Sequence, residues 1–425
     1  KDEDANITLF DGNADINLED IKKNIPEGTA IIVGSIPESI REATDLVIVS
    51  PGVPLDLDYV ERFANDNIPI WGEIELGYMY SKGKIAAITG TNGKTTTTAL
   101  VGAIMREYYN SVFVVGNIGI PYTNLVKETK EDSVTVAEVS SFQLETIRTF
   151  RPDVSAILNI TPDHLNRHHT MENYIEAKEN ITMNQGKDDT CILNYEDEVL
   201  REFGKTLECK VAFFSSARKL ENGIYLEGDN IIYNNNGEDT IVCNIHDLKL
   251  LGVHNYENVM AGILAGIALN VPMDVIRKAI CEFTSVEHRI EYVATKNGVK
   301  YYNDSKGTNP DAAIKGIQAM VTKTLLIGGG YDKNSEYDEW INAFDGKVKK
   351  LILIGQTREK IADTCEKCGF KDYVFADSLE EAVNICKENA CEGDAVLLSP
   401  ACASWGMFKN YEERGRIFKE LVNAL

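Results

Sequence analysis

ITGTNGKTTTTAL, residues 88–100, decides how this chain is read. The apolar run KIAAITG (84–90) enters it as a strand, and KTTTTALVGAIMREYY (94–109) leaves it as a helix. Between them stand Gly90, Gly93, Lys94 and Thr95. Glycines let backbone N–H groups approach a phosphate, a helix N-terminus favours an anion, Lys94 adds charge, and a Thr95 hydroxyl can reach Mg2+. The common phosphate loop reads G-x-x-x-x-G-K-[S/T], but Ile88 stands where its first glycine belongs, and the nearest upstream glycine is Gly90. The strand–loop–helix context favours a nucleotide site with a shortened loop. The alternative is a capped helix start with an incidental lysine.

Outward from the loop, strands alternate with helices through most of the chain, which predicts parallel α/β sheets. Upstream, AIIVGS (30–35) and DLVIVSPG (45–52) read as buried strands and LDYVERFANDN (57–67) as an amphipathic helix. Downstream, SVFVVGN (111–117), SVTVAEVSS (133–141) and VSAILNIT (154–161) continue the sheet, followed by a hairpin across 223–234. A further doubly wound unit begins near Val286, with a hairpin at 289–304 and four more strands alternating with helices. The expected division is a Rossmann-like region at 1–82, a P-loop ATPase-like region at 83–285 and a second Rossmann-like region at 286–425. NITLFDGN (6–13) reads as the second strand of a nucleotide-binding βαβ unit, so the first strand and its glycine-rich turn are expected to be missing. The other reading is a fold that begins at this strand.

The chain has 425 residues, 26% of them charged and 44% hydrophobic, with a formal charge of −23. Such acidity argues against sequence-independent nucleic-acid binding, which runs on Lys and Arg neutralising phosphates. No apolar stretch approaches the roughly 20 residues of a membrane-spanning helix. The nine cysteines are scattered, as in a reduced cytoplasmic protein. Cys365 and Cys368 form one C-x-x-C without a second pair nearby and read as a helix end rather than a zinc site.

Phosphate-bound Mg2+ needs an acidic ligand from a neighbouring strand end. Glu138 in TVAEVSSFQLE stands among Val136, Ala137 and Val139, a costly place for a carboxylate without a partner. NITPDHLNRHH ends the next strand and gathers His164, His168 and His169, half of the chain's six histidines. Lys178 follows on a helical stretch and, taken alone, reads as a solvated surface lysine.

The motifs GTNGKTTT, GNIG (116–119), EVSSFQLE, NITPDHLNRH, GVHNYENVMA (252–261), EHRIE (287–291), NDSKGTNPDA (303–312) and SPACASWGMFKNYEERG (399–415), in this order, resemble the Mur ligase family over nearly the whole chain. The last two resemble the branch that adds D-glutamate. The resemblance implies an ATP-dependent ligase joining D-glutamate to UDP-N-acetylmuramoyl-L-alanine through an acyl phosphate, acting as a monomer in the bacterial cytoplasm. It implies that Gly90, Thr91, Asn92, Gly93, Lys94, Thr95 and Thr96 hold ATP phosphates, that Asn255 and Asn258 meet the adenine, and that Arg289 and Asp304 reach ATP across a cleft. Thr95 and Glu138 would hold one Mg2+, and His164 with a carbamylated Lys178 a second. This replaces the plain reading of Lys178. Asp11, Ser50, Gly52, Asn117, Ser140 and Gln143 would meet the UDP-sugar. Lys306, Thr308, Lys333, Ser404, Trp405 and Tyr411 would meet D-glutamate; Trp405, Tyr411 and the GGGYDKNSEYDE loop depart from some members. Remaining alternatives are another Mur-type ligase, a folylpolyglutamate synthetase, a P-loop kinase or GTPase, or a non-catalytic binding protein. The absence of an N-K-x-D motif speaks against a GTPase, and a kinase or GTPase would leave the third region unexplained.

Overall fold

The structure is a computed structural model that describes residues 5–425 apart from 17, 19–21, 23, 24, 118, 119, 285, 286 and 334. The second half of the GNIG motif and the expected boundary at 285/286 therefore lie outside the described residues.

The central sheet positions the site. It runs through β5 (Lys84–Thr89), β6 (Val112–Gly116), β7 (Val134–Glu138), β8 (Val154–Ile157), β9 (Thr190–Asn194), β10 (Lys210–Ser215), β11 (Gly223–Glu227), β12 (Asn230–Asn235) and β13 (Glu238–Asn244). Their spatial order is β13-β12-β11-β10-β9-β8-β5-β7-β6, parallel except for the last two strands of the chain order, which pair antiparallel. The expected hairpin thus gains a third strand. β5 is inserted between β7 and β8, and the register pairs Ile88 with Glu138 and Thr89 with Ile157. The C-terminal ends of three neighbouring strands therefore open at one edge, where α/β sheets build ligand sites. All five residues of β7 are buried, as both faces are covered: one by the helices Lys94–Arg106 and Val253–Ala268, whose Leu100, Ile104, Val259 and Ile263 share a core with Val134 and Val136. The other face carries Ala137, Leu144, Phe150 and Ile157.

The N-terminal region departs from expectation. β1 (Thr8–Asp11) pairs in parallel with β2 (Ala30–Val33), and β3 (Val47–Val49) with β4 (Ile70–Gly72), but among the described residues the two pairs form no common sheet. Pairs this short bury little, and Ile7, Leu9, Leu46 and Ile48 stay exposed on or beside them. After β4 the chain turns into a helix, Glu73–Tyr80, that periodicity did not announce. Its Glu75 is fully buried and accepts from the backbone N–H groups of Arg148, Thr149 and Phe150, which locks this region onto the central one.

The C-terminal sheet contains β14 (Glu291–Lys296), β15 (Val299–Asn303), β16 (Thr324–Gly328), β17 (Val348–Leu353), β18 (Tyr373–Phe375) and β19 (Ala395–Leu398), in the order β14-β15-β19-β16-β17-β18. Only the β14 hairpin is antiparallel. Cys365 is buried on the helix Arg358–Lys367 and Cys368 follows as its C-terminal cap, matching the helix-end reading. Among the described residues no helix is long and apolar enough to cross a membrane.

Candidate active site at the phosphate loop

The loop is shaped by contacts that only glycine permits. Gly93 has φ +86° and caps the helix Lys94–Arg106. A Cβ there would lie 2.3 Å from Asn258 Oδ1, which also accepts from Thr97 Oγ1 at 3.2 Å. Asn258 in turn donates to Asn255 Oδ1, and Asn255 to the Leu251 carbonyl. The two asparagines expected at the adenine therefore also tie the second helix to the loop.

A strap after β8 fixes the loop from the other side. Thr91 N–H donates to the Asn159 carbonyl, Asn92 N–H donates to Asn159 Oδ1 at 2.8 Å, and Asn159 Nδ2 returns a bond to the Asn92 carbonyl. Thr91 Oγ1 meets Tyr174 OH at 2.9 Å and accepts from Thr161 N–H. Asn159 and Tyr174 were not singled out in the sequence. Asn159 lies in the quoted NITPDH stretch, but its side-chain pairing is a tertiary fact.

Two lysines converge on one carbonyl. Lys94 Nζ donates to the Gly90 carbonyl at 2.8 Å and to that of Thr91 at 3.0 Å, while Lys178 Nζ donates to Gly90 at 2.9 Å. Lys178 is 1% exposed, which corrects its plain reading as a solvated lysine. Burial, and then the neighbouring Lys94 charge, push the Lys178 ammonium down to about 7. Burial lowers Lys94 as well, against the pull of Glu138.

Glu138 ends β7 almost fully buried. Its Oε1 accepts from Asn117 Nδ2 at 2.8 Å, but its Oε2 is buried with no partner. Thr95 stands in the first turn of the neighbouring helix, and Thr96 behind it is buried. The Glu138 donor set suits Mg2+, a hard cation that takes carboxylate and hydroxyl oxygens. His164 is half exposed at φ +53° beside Asp163, 3.5 Å away. Asp163 is the carboxylate that raises both Lys94 and Lys178 electrostatically. The other two histidines do different work. His168 is buried between Ser141 Oγ and Glu145, stacked on Phe142, and His169 reaches Asp56 of the N-terminal region at 3.3 Å.

The residues expected at the UDP-sugar are distributed around that junction. Ser50 and Gln143 line one crevice with Phe142 and Arg167. Ser140 and Gln143 also form a capping box on the helix Ser141–Leu144. Asp11 Oδ1 accepts from Asn13 N–H in its own turn. Gly52 has open space where a side chain would begin. Next to this crevice is a cleft of about 340 Å³ lined by Asp56, Glu145, His168, His169 and Asn173 among others.

The C-terminal region carries the remaining residues and touches the tip of the loop. Lys315 Nζ donates to Asn92 Oδ1 at 2.7 Å. Arg289 follows His288 and precedes Ile290, both non-glycine residues with positive φ, +68° and +46°, a strain that persists only where the surroundings hold it. Asp304 helps to hold that turn: it is buried, accepts from Ile290 N–H and Ser399 Oγ, and burial raises its carboxyl to about 7. Its carboxylate thus faces the turn beneath Arg289 rather than the cleft. Arg289 Nε is itself buried without a partner.

Lys306 lies over the Tyr411 ring at 5.9 Å, and Lys333 over the Trp405 ring at 4.9 Å. Thr308 is half-buried and Ser404 buried. Arg414, which the sequence did not single out, joins the two loops. It is 1% exposed, and its guanidinium donates to Ser305 Oγ, the Ser305 carbonyl and the Cys402 carbonyl. Glu287, His288 and Glu291 also converge, but Lys419 Nζ donates to both carboxylates, at 3.0 and 2.6 Å, and offsets part of their charge.

Two family models match the chain. The model of the Mur ligase middle domain matches residues 88–266, and that of the Mur ligase glutamate ligase domain matches 288–402. The chain is 63% identical to a UDP-N-acetylmuramoylalanine–D-glutamate ligase of Lachnoclostridium phytofermentans, covering all of this chain and 94% of the relative. It is 46% identical to the protein of that name from Clostridioides difficile, covering 98% and 92%. Among solved structures it resembles the MurC ligase of Thermotoga maritima, with a TM-score of 0.61 at 21% identity over 98% of this chain and 99% of the other. It also resembles the MurF ligase of the same organism in complex with ADP, at 0.59 and 16% over 91% and 97%. At such identities the two structures speak for the fold.

Proposed function

The chain belongs to the Mur ligase family, and from that premise we propose that it joins D-glutamate to UDP-N-acetylmuramoyl-L-alanine, splitting ATP to ADP and phosphate, in peptidoglycan precursor synthesis. The observation that carries the reading is Glu138 Oε2, a buried carboxylate oxygen without a partner beside a glycine loop and two desolvated lysines. The D-glutamate specificity rests on the relatives' names and on the 399–415 motif. The division of labour follows at 1–82 for the UDP-sugar, 83–285 for ATP and 286–425 for the amino acid, in a monomeric cytoplasmic enzyme.

The L-alanyl carboxylate is a weak nucleophile repelled by the ATP phosphates. Lys94 offsets that repulsion by exchanging the Gly90 and Thr91 carbonyls for phosphate oxygens. Thr95 and Glu138 would hold one Mg2+, and His164 with Lys178 as a carbamate a second; bound there, the ions supply charge stabilisation of the transferring phosphoryl group. Carbamate formation requires a neutral amine, and an ammonium pushed down to about 7 supplies one at neutral pH. The carboxylate attacks the γ-phosphorus, ADP leaves, and an acyl phosphate forms. The unprotonated amine of D-glutamate attacks its carbonyl carbon, and phosphate departs as the amide forms. Water would destroy the acyl phosphate, so the third region must close over the loop.

The test is ADP release from ATP with the UDP-sugar and, in parallel, D-glutamate, L-lysine, meso-diaminopimelate or L-alanine. Turnover is expected with D-glutamate alone; turnover with L-lysine but not D-glutamate overturns the assignment. For Lys178, bicarbonate should stimulate the parent, and an active Lys178→Ala variant would count against the carbamate.

A further inference from the structure

Lys315 is an exposed lysine on the helix Pro310–Gln318. Its ammonium reaches across to the tip of the phosphate loop, where Asn92 Oδ1 accepts it at 2.7 Å. The Asn92 backbone is held by Asn159 through two hydrogen bonds, so that oxygen marks a fixed point at the mouth of the loop. Lys315 is not alone there. Arg289 and Lys315 both oppose the Lys94 charge and Arg289 opposes that of Lys315, while Glu138 and Asp163 favour Lys94, and Asp311 and Asp163 favour Lys315. Three cations from two regions thus meet beside a few carboxylates, Lys315 bonds a neutral amide oxygen, and the Arg289 Nε is left buried without a partner. Like charges brought together in a partly desolvated cleft repel one another, and a further anion among them relieves that repulsion. A bound triphosphate is that anion.

Resting on the reading of the loop as an ATP site, we infer that Lys315 is a further nucleotide-binding residue that doubles as the closure latch, exchanging the Asn92 amide oxygen for a phosphate oxygen when ATP is bound. A neutral acceptor is a weaker partner for an ammonium than an anionic one, so the Asn92 bond holds the closed arrangement lightly and the nucleotide holds it firmly. The same helix is entered from the loop that carries Lys306 and Thr308. Nucleotide binding on its lysine therefore orders the amino-acid side before D-glutamate arrives.

The test is titration calorimetry of full-length parent, Lys315→Met and Lys315→Arg with Mg2+ and the non-hydrolysable analogue AMPPNP, with no other substrate present. Small-angle scattering follows compaction, and melting temperatures check the fold. Lys315→Met should bind about tenfold more weakly and compact less, and Lys315→Arg should remain within about threefold of the parent, since the charge-assisted bond is what is lost. A purely structural role would move the melting temperature and leave the affinity alone. Equal affinity of parent and Lys315→Met, or an equal loss in Lys315→Arg, overturns the inference. A parent that binds no nucleotide overturns the ATP reading beneath it, and a parent that binds normally but fails to use D-glutamate overturns only the amino-acid assignment.

Discussion

The two halves of the cleft are built differently. On the phosphate side, backbone and side chains are tied at fixed points: Asn159 grips Asn92 from both directions, Asn258 meets Gly93, and two lysines share the Gly90 carbonyl. On the amino-acid side, Lys333 and Trp405 are exposed and meet only through a cation and a ring face. A phosphate is the same in every turnover, so its site gains from being preformed. A site that must admit and then enclose a small amino acid needs outer residues that can move, with its rigidity placed beneath them. That base is Arg414 and Asp304, both buried and both bonded to the loops above.

The sharpest break in this contrast is Lys94→Met. It removes the one loop cation that already faces the carbonyls lining the phosphate position, and turnover should fall by about 10³-fold or more, in line with loss of a preorganised charge at a transferring phosphoryl group. Melting temperature should change little, because Lys94 is a desolvated cation whose charge burial disfavours. An activity loss under tenfold would mean that the phosphate side is less committed to one geometry than its bonding suggests.

Asp304 probes the base of the other half. Its folded carboxyl is raised to about 7 by burial, above the ordinary value of 3.8. A raised carboxyl means that the folded state binds the proton more tightly than the unfolded one. Its contribution is therefore fully present below about pH 4 and is lost as pH rises toward 7. Asp304→Asn cannot titrate, so the difference in unfolding free energy between parent and variant should shift by a few kcal/mol in the variant's favour across that window. Denaturant titrations at pH 4.5 and 7.5 measure it. A pH-independent difference would show that the carboxyl is ionised in place, held so by Arg289 and the Ile290 N–H.

Arg414 comes next. Lys306 and Thr308 stand on one of the loops it joins, and Ser404 and Trp405 on the other. Arg414→Met should lower kcat/KM for D-glutamate about 10- to 100-fold, as expected when a buried charged donor to three acceptors is lost, while the KM for ATP stays near that of the parent. Arg414→Lys should recover part of the loss. An equal rise in both KM values would assign Arg414 to general stability.

What could be read without coordinates follows the same contrast. The phosphate loop, Glu138 and the strands around them were legible because each is local: a strand end, a glycine turn and a capped helix carry their own signals. Lys178 was not legible from its surroundings, since MENYIEAKE is ordinary helical composition and only folding against Gly90 buries the ammonium. Asn159, Arg414 and Lys315 escaped for the same reason, as each acts through a partner at least 67 residues away. That the N-terminal strands form no common sheet among the described residues was equally invisible, because pairing between short strands is decided by what lies between them.

Trp405 should yield the smallest effect and tests the adaptable edge. Its ring is 53% exposed and contacts Tyr331 edge-on at 5.6 Å as well as the Lys333 ammonium. An exposed cation–ring pair contributes about 0.5–1 kcal/mol. Trp405→Leu keeps an apolar side chain and removes the ring quadrupole, so Lys333 is less well placed but no charge is lost. The KM for D-glutamate should rise about two- to fivefold on that energy, with kcat and the ATP parameters unchanged. Adding Lys333→Met to Trp405→Leu should then cost less than the sum of the single changes, because the ring acts through the ammonium. Full additivity would mean that the two residues reach the amino acid separately, and that this edge of the cleft is more firmly organised than its exposure implies.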